Sequence, residues 1–475
     1  QEALDRHAPG LSKRAGANPV IRANVLMGEA RYGVREEMKQ AYGFAWRAHV
    51  RGLTTTFDAG KNLAFARKEA ARLAELDTKH ADRIDPGYTL DPAKVMEDRA
   101  SPGVIVAAAN ADGEIVRYFE QGETASYFGS PYAREPETGF YSSSRESRMI
   151  ASTGKIIAAI AIANSLRDSP QTLYLDTHAP KTGLEACRHG NERRGRTALV
   201  SFACSLNDPL LRRTARVGQA RVARLIDALG FAMPPPGPNG EGTPPSTAAV
   251  LGQVAAAPRR VHHLASIVLA SLTGRGNRAV PLPTLIGAYD YIHPAGADHA
   301  IHQGTGKIVP DSMIRRGGRP LLRTLLQAPL CYAPGGRPTG TLKALQDWCA
   351  ARRAGLKLHF AKTGTQVTED PDATVDAWIA GGLQFSNGAA YSYVVVVGTG
   401  STRQPWARRL HASQVAAPLL EVLLEDLEAD AKSYRSRPQR RDAAPSTISL
   451  PQRRPERTHG TLTSADKLLR NPVSN

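Results

Sequence analysis

Three short groups of residues in this chain could together carry out acyl transfer. Ser152-Thr153-Gly154-Lys155 sets a hydroxyl and an amine three residues apart. On a helix that spacing puts both side chains on one face. A serine hydroxyl is a weak nucleophile at its free pKa and needs an adjacent base. A lysine becomes that base when burial disfavours its charged form. A serine at a helix start also finds backbone N–H groups able to hold an oxyanion. Further on, Ser205-Leu206-Asn207 offers a second hydroxyl and an amide that could relay a proton and orient the lysine. The same residue types also serve as helix caps and turns. Lys362-Thr363-Gly364-Thr365 completes the set. An ammonium and hydroxyls on a strand edge suit a peptide carboxylate, and glycine lets an extended substrate approach the backbone.

None of these groups is specific alone. A second Ser-x-x-Lys stands at Ser464–Lys467, and a second Lys-Thr-Gly at Lys181–Gly183. The order of the three groups and their placement carry the signal. The segment from Ala151 to Leu166 is apolar nearly all round, so it reads as a buried helix that opens at Ser152. Ser205 and Asn207 fall in a helical zone over 197–230. Leu356–Lys362 reads as a strand that ends in a Thr-Gly-Thr turn.

The rest of the pattern frames those segments. Val104–Ala109 and Glu114–Phe119 flank a turn at 110–113 and form a hairpin; Asp376–Gln384 and Tyr391–Gly398 form another around Ser386-Asn387-Gly388. A loop over 233–245 precedes more helix from Thr247 to Leu272, and a last helix spans Val415–Leu427. The expected fold is α+β: an antiparallel sheet built from both ends of the domain, with helices on both faces and a large helical insert. Helix-like patches at Ile21–Met38 and Asn62–Leu76 make residues 1–86 a helical linker or pedestal. Residues 87–431 form the main domain, and 432–475 a basic, disordered tail.

Composition narrows the classes. Hydrophobic residues make up 41% of the 475, enough for a sizeable core. The net charge is +17, but ten Lys/Arg against three Asp/Glu lie from Lys432 onward. That tail has almost no aromatics to stack on bases, so nucleic acid is not the expected partner. The longest apolar run, Ile156–Ala163, is far short of the ~18 residues that cross a bilayer. Cys187, Cys204, Cys331 and Cys349 have no zinc spacing, and no metal or cofactor is expected. Spacing leaves two disulfides or four free thiols open.

Taken in order, the three groups match the S-x-x-K, second serine and K-T-G signature of penicillin-binding proteins and class A β-lactamases. The chain resembles the transpeptidase domain of penicillin-binding proteins, most closely the bifunctional class A type. The flanks extend the resemblance over about 87–427: GYTLDPAKV at 87–95, PGVIVAAANADGEIVRYF at 102–119, SLNDPLLRRTARVG at 205–218, the stretch 246–286, and HFAKTGTQVTEDPDATVDAWIAGG at 359–382. It implies that Ser152 is acylated, that Lys155 is its base, and that Ser205 and Asn207 relay the proton and hold the peptide. It further implies that Lys362, Thr363 and Thr365 bind the terminal carboxylate beside Gly364, with the N–H groups of Ser152 and Thr365 as the oxyanion hole. The implied partners are D-Ala-D-Ala stem peptides of peptidoglycan, β-lactams and cell-envelope proteins. The implied setting is extracytoplasmic, with a membrane anchor outside this stretch. The sequence departs from the family at Gly154, which in a first helical turn costs up to ~1 kcal/mol. The acidic motif of an upstream glycosyltransferase is not found; Glu97-Asp98 is its nearest approach. Glu241 is the only glutamate between Asn207 and Lys362, which disfavours a class A β-lactamase as the alternative.

Overall fold

The computed structural model describes residues 33–34, 37–38, 50–79, 104–121, 127–128, 148–166, 198–234, 241–291, 307–333, 336–366, 376–398 and 411–433. Its strands are β1 (Val50–Thr55), β2 (Val104–Asn110), β3 (Ile115–Gln121), β4 (Arg148–Met149), β5 (Ala255–Ala256), β6 (Ile286–Tyr291), β7 (Leu356–Thr365), β8 (Asp376–Phe385) and β9 (Ala390–Gly398). Five of them form an antiparallel sheet in the order β3-β2-β9-β8-β7. As the sequence suggested, the two ends of the domain meet here: β2 pairs with β9 from Val104↔Val397 to Asn110↔Tyr391.

Alternate side chains enter opposite cores. Ile105, Ala107, Phe360, Trp378 and Val394 enter one; Val104, Val106, Ile379, Val395 and Val397 enter the other. Both faces are covered, which is why the strands read as unbroken apolar runs. The first core is closed by α2 (Lys155–Ser165), α4 (Asp208–Val217), α5 (Gln219–Ala228), α6 (Pro245–Leu251), α7 (Pro258–Leu272) and α8 (Arg319–Cys331), with α3 (Ala198–Ala203) packed on α8. The second is closed by α1 (Ala59–Lys79) and α9 (Ala412–Ser433).

Several expectations change. The helix expected over Thr247–Leu272 is two helices: α6 stops at Gly252, whose φ of +67 is the left-handed cap that glycine supplies, and α7 restarts with Pro258 in its first turn. The Thr-Gly-Thr turn after Lys362 is strand, because β7 runs on through Thr365. The linker or pedestal expected over 1–86 contains α1, which is packed into the domain. Glu37, too, accepts from Arg259 Nη2 at 2.7 Å and from Leu285 N at 2.8 Å. The remainder of Ile21–Met38, the segment 87–95 and the tail beyond Ser433 lie outside the described residues.

α1 also closes the open side of the sheet. Its Asn62 donates to Tyr118 O at 3.0 Å and receives Tyr118 N at 2.7 Å. One amide thereby satisfies both outward backbone groups of Tyr118 on edge strand β3, which blocks strand-to-strand association there. Arg117 of the same strand pairs with Asp426 and Asp430 of α9; Lys68 and Lys61 of α1 reach those carboxylates at 3.0 and 2.6 Å. Asn62→Ala is expected to cost about 2–3 kcal/mol in chemical denaturation, since it strands two buried backbone groups. Asn62→Asp, which keeps only the acceptor, should fall between.

Candidate active site

The two-stranded β4–β5 ribbon leads the chain into the first motif. Beyond it, Ile150 N bonds Val254 O and Ala151 N bonds Gly252 O, both at 3.1 Å. Ala151 then takes φ 47, in the left-handed region that non-glycine residues avoid. Ser152 follows in a 3-10 turn, Ala151–Gly154, and α2 starts only at Lys155. Gly154 therefore does not sit in an ordinary first helical turn. A Cβ on Gly154 would lie 2.4 Å from Ala249 O and 3.0 Å from Gly252 Cα. A Cβ on Gly252 would lie 1.5 Å from Ala151 O. Behind the serine, two chain segments touch backbone to backbone, and only glycines permit it. The departure at Gly154 is a packing requirement of this turn.

Lys155 is fully buried, and its Nζ lies 2.6 Å from Ser152 Oγ and 2.7 Å from Asn207 Oδ1. Burial disfavours its charged form and lowers its pKa from the usual 10.5 to about 7. Ser205 follows α3 with φ 59, so a second residue of the site holds a left-handed conformation. Leu166, at the end of α2, is the remaining such non-glycine residue among those described. The turn aims Ser205 Oγ at Lys362, whose Nζ reaches it at 2.8 Å. Lys362 is buried as well, and its pKa falls well below the usual value, first by desolvation and then by the nearby charge of Lys155. Its Nζ also donates to Thr363 O at 2.7 Å.

The third motif lies on the free edge of the sheet. Gln366 N bonds Asp376 O across to β8 at 2.9 Å. Antiparallel hydrogen bonding alternates, so Gly364 and Lys362 also bond to β8, and the N–H and C=O of Thr363 and Thr365 turn outward. Gly364 faces the serine turn: a Cβ there would lie 3.0 Å from Thr153 N and 3.2 Å from Ser152 N. The hydroxyl of Thr365 accepts from Ala412 N at 3.0 Å, at the start of α9, which leaves its proton free to donate. Ser152, Lys155 and Asn207 form one hydrogen-bonded group and Ser205, Lys362 and Thr363 a second, near enough that the charge of Lys155 acts on Lys362; Gly364 faces the serine turn and Thr365 follows on the same strand. The second copies at Lys181–Gly183 and Ser464–Lys467 lie outside the described residues.

Sequence reasoning missed Gly252 and Thr341. Gly252 carried the signal of a glycine closing a helix. Thr341, a lone threonine whose Oγ1 lies 2.9 Å from Thr363 Oγ1, carried none. The cysteine question closes in part: Cys331 and Cys349 form a disulfide, and Cys204, beside Ser205, is disulfide-bonded too. Among the described residues no cluster of side chains suits a metal ion.

No family model matches the sequence, and no curated protein matches it. Solved structures do align with it. One is the transpeptidase domain of penicillin-binding protein 3 from Burkholderia pseudomallei, at 11% identity and a TM-score of 0.47, covering 81% of this chain and 98% of that one. A second is penicillin-binding protein 3 of Mycobacterium tuberculosis complexed with aztreonam, at 16% and 0.45, covering 79% and 80%. The transpeptidase domain of a D,D-transpeptidase from Legionella pneumophila aligns at 15% and 0.38, covering 75% and 96%. What the site can do follows from its own geometry.

The backbone contact behind Ser152 has a measurable consequence. Gly154→Ala should destabilise the protein by about 1–3 kcal/mol through overpacking. Gly252→Ala should cost more, because its Cβ meets main chain and its φ is positive. Equilibrium denaturation of the two variants gives the ranking.

Proposed function

We propose that the chain is a serine acyl-transferase of the penicillin-binding type. It acts on peptides ending in D-Ala-D-Ala, as in peptidoglycan cross-linking, and β-lactams acylate it at Ser152. The observation that carries this reading is the 2.6 Å approach of a buried Lys155 amine to the Ser152 hydroxyl.

The steps follow from the groups present. A Lys155 with a pKa near 7 is substantially neutral at physiological pH and accepts the Ser152 proton. Oγ attacks the carbonyl of the penultimate D-alanine. The N–H groups of Ser152 and Thr365 hold the oxyanion; Gly364, without a side chain, keeps the turn and the strand edge close enough for both. Lys362, whose amine the negative charge of a bound carboxylate would hold protonated, takes the terminal carboxylate with the Thr363 and Thr365 hydroxyls. The carbon–nitrogen bond then breaks, and the departing D-alanine amine receives a proton from Lys155, relayed through Ser205. Asn207 holds the lysine amine and the peptide. The ester on Ser152 passes to the amine of another peptide or to water.

A β-lactamase would need a glutamate to activate the deacylating water. Glu241, the only glutamate between Asn207 and Lys362, is exposed in the segment before α6. A long-lived acyl-enzyme is therefore the expectation. A catalytically silent scaffold would have no need of two buried lysines, each costly to desolvate. The disulfide Cys331–Cys349 and the bonded Cys204 support an oxidising, extracytoplasmic setting. The basic residues beyond Lys432 suit contact with anionic envelope polymers or lipid.

Two measurements test this. Fluorescent penicillin should label the protein stably and Ser152→Ala not at all; an unlabelled wild type, or a labelled Ser152→Ala, would sink the proposal. Acylation should rise with pH through about 7, where Lys155 loses its proton. Well below that value the rate should fall about tenfold per pH unit. A flat profile between pH 5 and 8 would remove Lys155 as the base.

A further inference from the structure

The acyl-transfer reading leaves one site-facing hydroxyl unassigned. Thr341 Oγ1 lies 2.9 Å from Thr363 Oγ1. Its backbone is tied on three sides. Thr341 N bonds Ala203 O at 2.9 Å, in the segment leading to Ser205. Leu342 N bonds Pro329 O at 2.9 Å and Thr339 N bonds Tyr332 O at 3.0 Å, both at the end of α8. Gly340, just before it, is pressed against α8 so closely that a Cβ would lie 2.1 Å from Pro329 O. The disulfide between Cys331 and Cys349, 18 positions apart in sequence, closes the loop. A surface loop has no need of this much restraint. The restraint fixes one side chain, and that side chain ends on Thr363.

We propose that Thr341 is a positioning residue for the substrate carboxylate: it holds the Thr363 hydroxyl in place and ties the Ser205 segment to strand β7. The inference rests on the acyl-transfer reading and names a part of that site beyond the three motifs. Its chemistry is directional. The Thr363 hydroxyl donates to Thr341 Oγ1 at 2.9 Å and accepts from Lys362 Nζ at 3.5 Å. The lysine is the longer contact and already serves Ser205 Oγ and Thr363 O at 2.8 and 2.7 Å. Thr341 is thus the closer partner that fixes Thr363; a bound carboxylate would take the Thr363 proton, and the Thr341 hydroxyl, a donor as well as an acceptor, would then turn to donate to Thr363. Neither threonine touches Lys155 in this arrangement, so recognition and nucleophile activation are separable. The loop carries Thr341 as the disulfide carries the loop, and opening the disulfide should mimic loss of the hydroxyl.

The test is the kinetics of penicillin acylation, resolved into the dissociation constant of the initial complex and the rate of the covalent step. Thr341→Val, which keeps shape and removes the hydroxyl, should raise the dissociation constant about tenfold. The covalent rate and its pH dependence should stay unchanged. Thr341→Ser should restore the constant to within about twofold, and Cys331→Ser with Cys349→Ser should raise it in the same direction. Melting curves of each variant establish that it is folded. A folded Thr341→Val with an unchanged dissociation constant would overturn the role of Thr341 and leave the acyl-transfer reading standing. So would a loss in the covalent rate alone. A wild-type protein that penicillin does not acylate would overturn both.

Discussion

The buried amine of Lys155 is the constraint on which the rest of the structure turns. An ammonium removed from water costs several kcal/mol, and among the described residues no carboxylate offsets this. Instead the lysine gives up its proton readily and keeps two neutral partners, Ser152 Oγ and Asn207 Oδ1. Such a group persists only if the surrounding elements are already held by other forces. The helix α2, buried from Lys155 to Ala163, and the two-sided sheet supply them, through apolar burial at roughly 25 cal/mol per Å². Local strain gathers in the same place: Ala151 and Ser205, both with positive φ, flank the site from two sides.

Lys362 repeats the solution with a different outcome. It faces the same core side as Phe360 along β7 but spends its hydrogen bonds on Ser205 and on its own strand. Two buried amines close together repel when both are charged, which adds to desolvation in lowering the Lys362 pKa. Two residues of one type thus share one solution, burial among neutral hydrogen-bond partners.

Much of this was legible in the sequence, for physical reasons. The β2–β3 and β8–β9 hairpins announced themselves because turn residues interrupt β-prone runs. The buried helix did so because it is apolar on every side. The order of three motifs outweighed two stray copies. What stayed illegible depends on contacts between distant segments. Gly154 looked like a weak helix residue, since nothing local shows that Ala249 O stands 2.4 Å from where its side chain would begin. The break at Gly252 was missed because α6 and α7 share a helical pattern across it. Thr341 could not be found, because its meaning comes from Ala203 and Thr363, neither of them near it in the chain. The place of α1 was missed because its buried apolar residues, Phe65, Leu73 and Leu76, are interleaved with the buried polar Asn62 and Glu69, which breaks up the apolar stripe in the sequence.

The bond from Ala412 N to Thr365 Oγ1 has a consequence for how the protein comes into being. The strand edge beside Ser152 is fastened to the first residues of α9, and β2 finds its neighbour only in β9, pairing Val104 with Val397. Ser152 and Lys155 leave the ribosome long before either partner exists. Ser152 and Lys155 are thus made before the strand partner and the helix start that complete their surroundings, and the arrangement seen here cannot be whole until the polypeptide has emerged past Ala412.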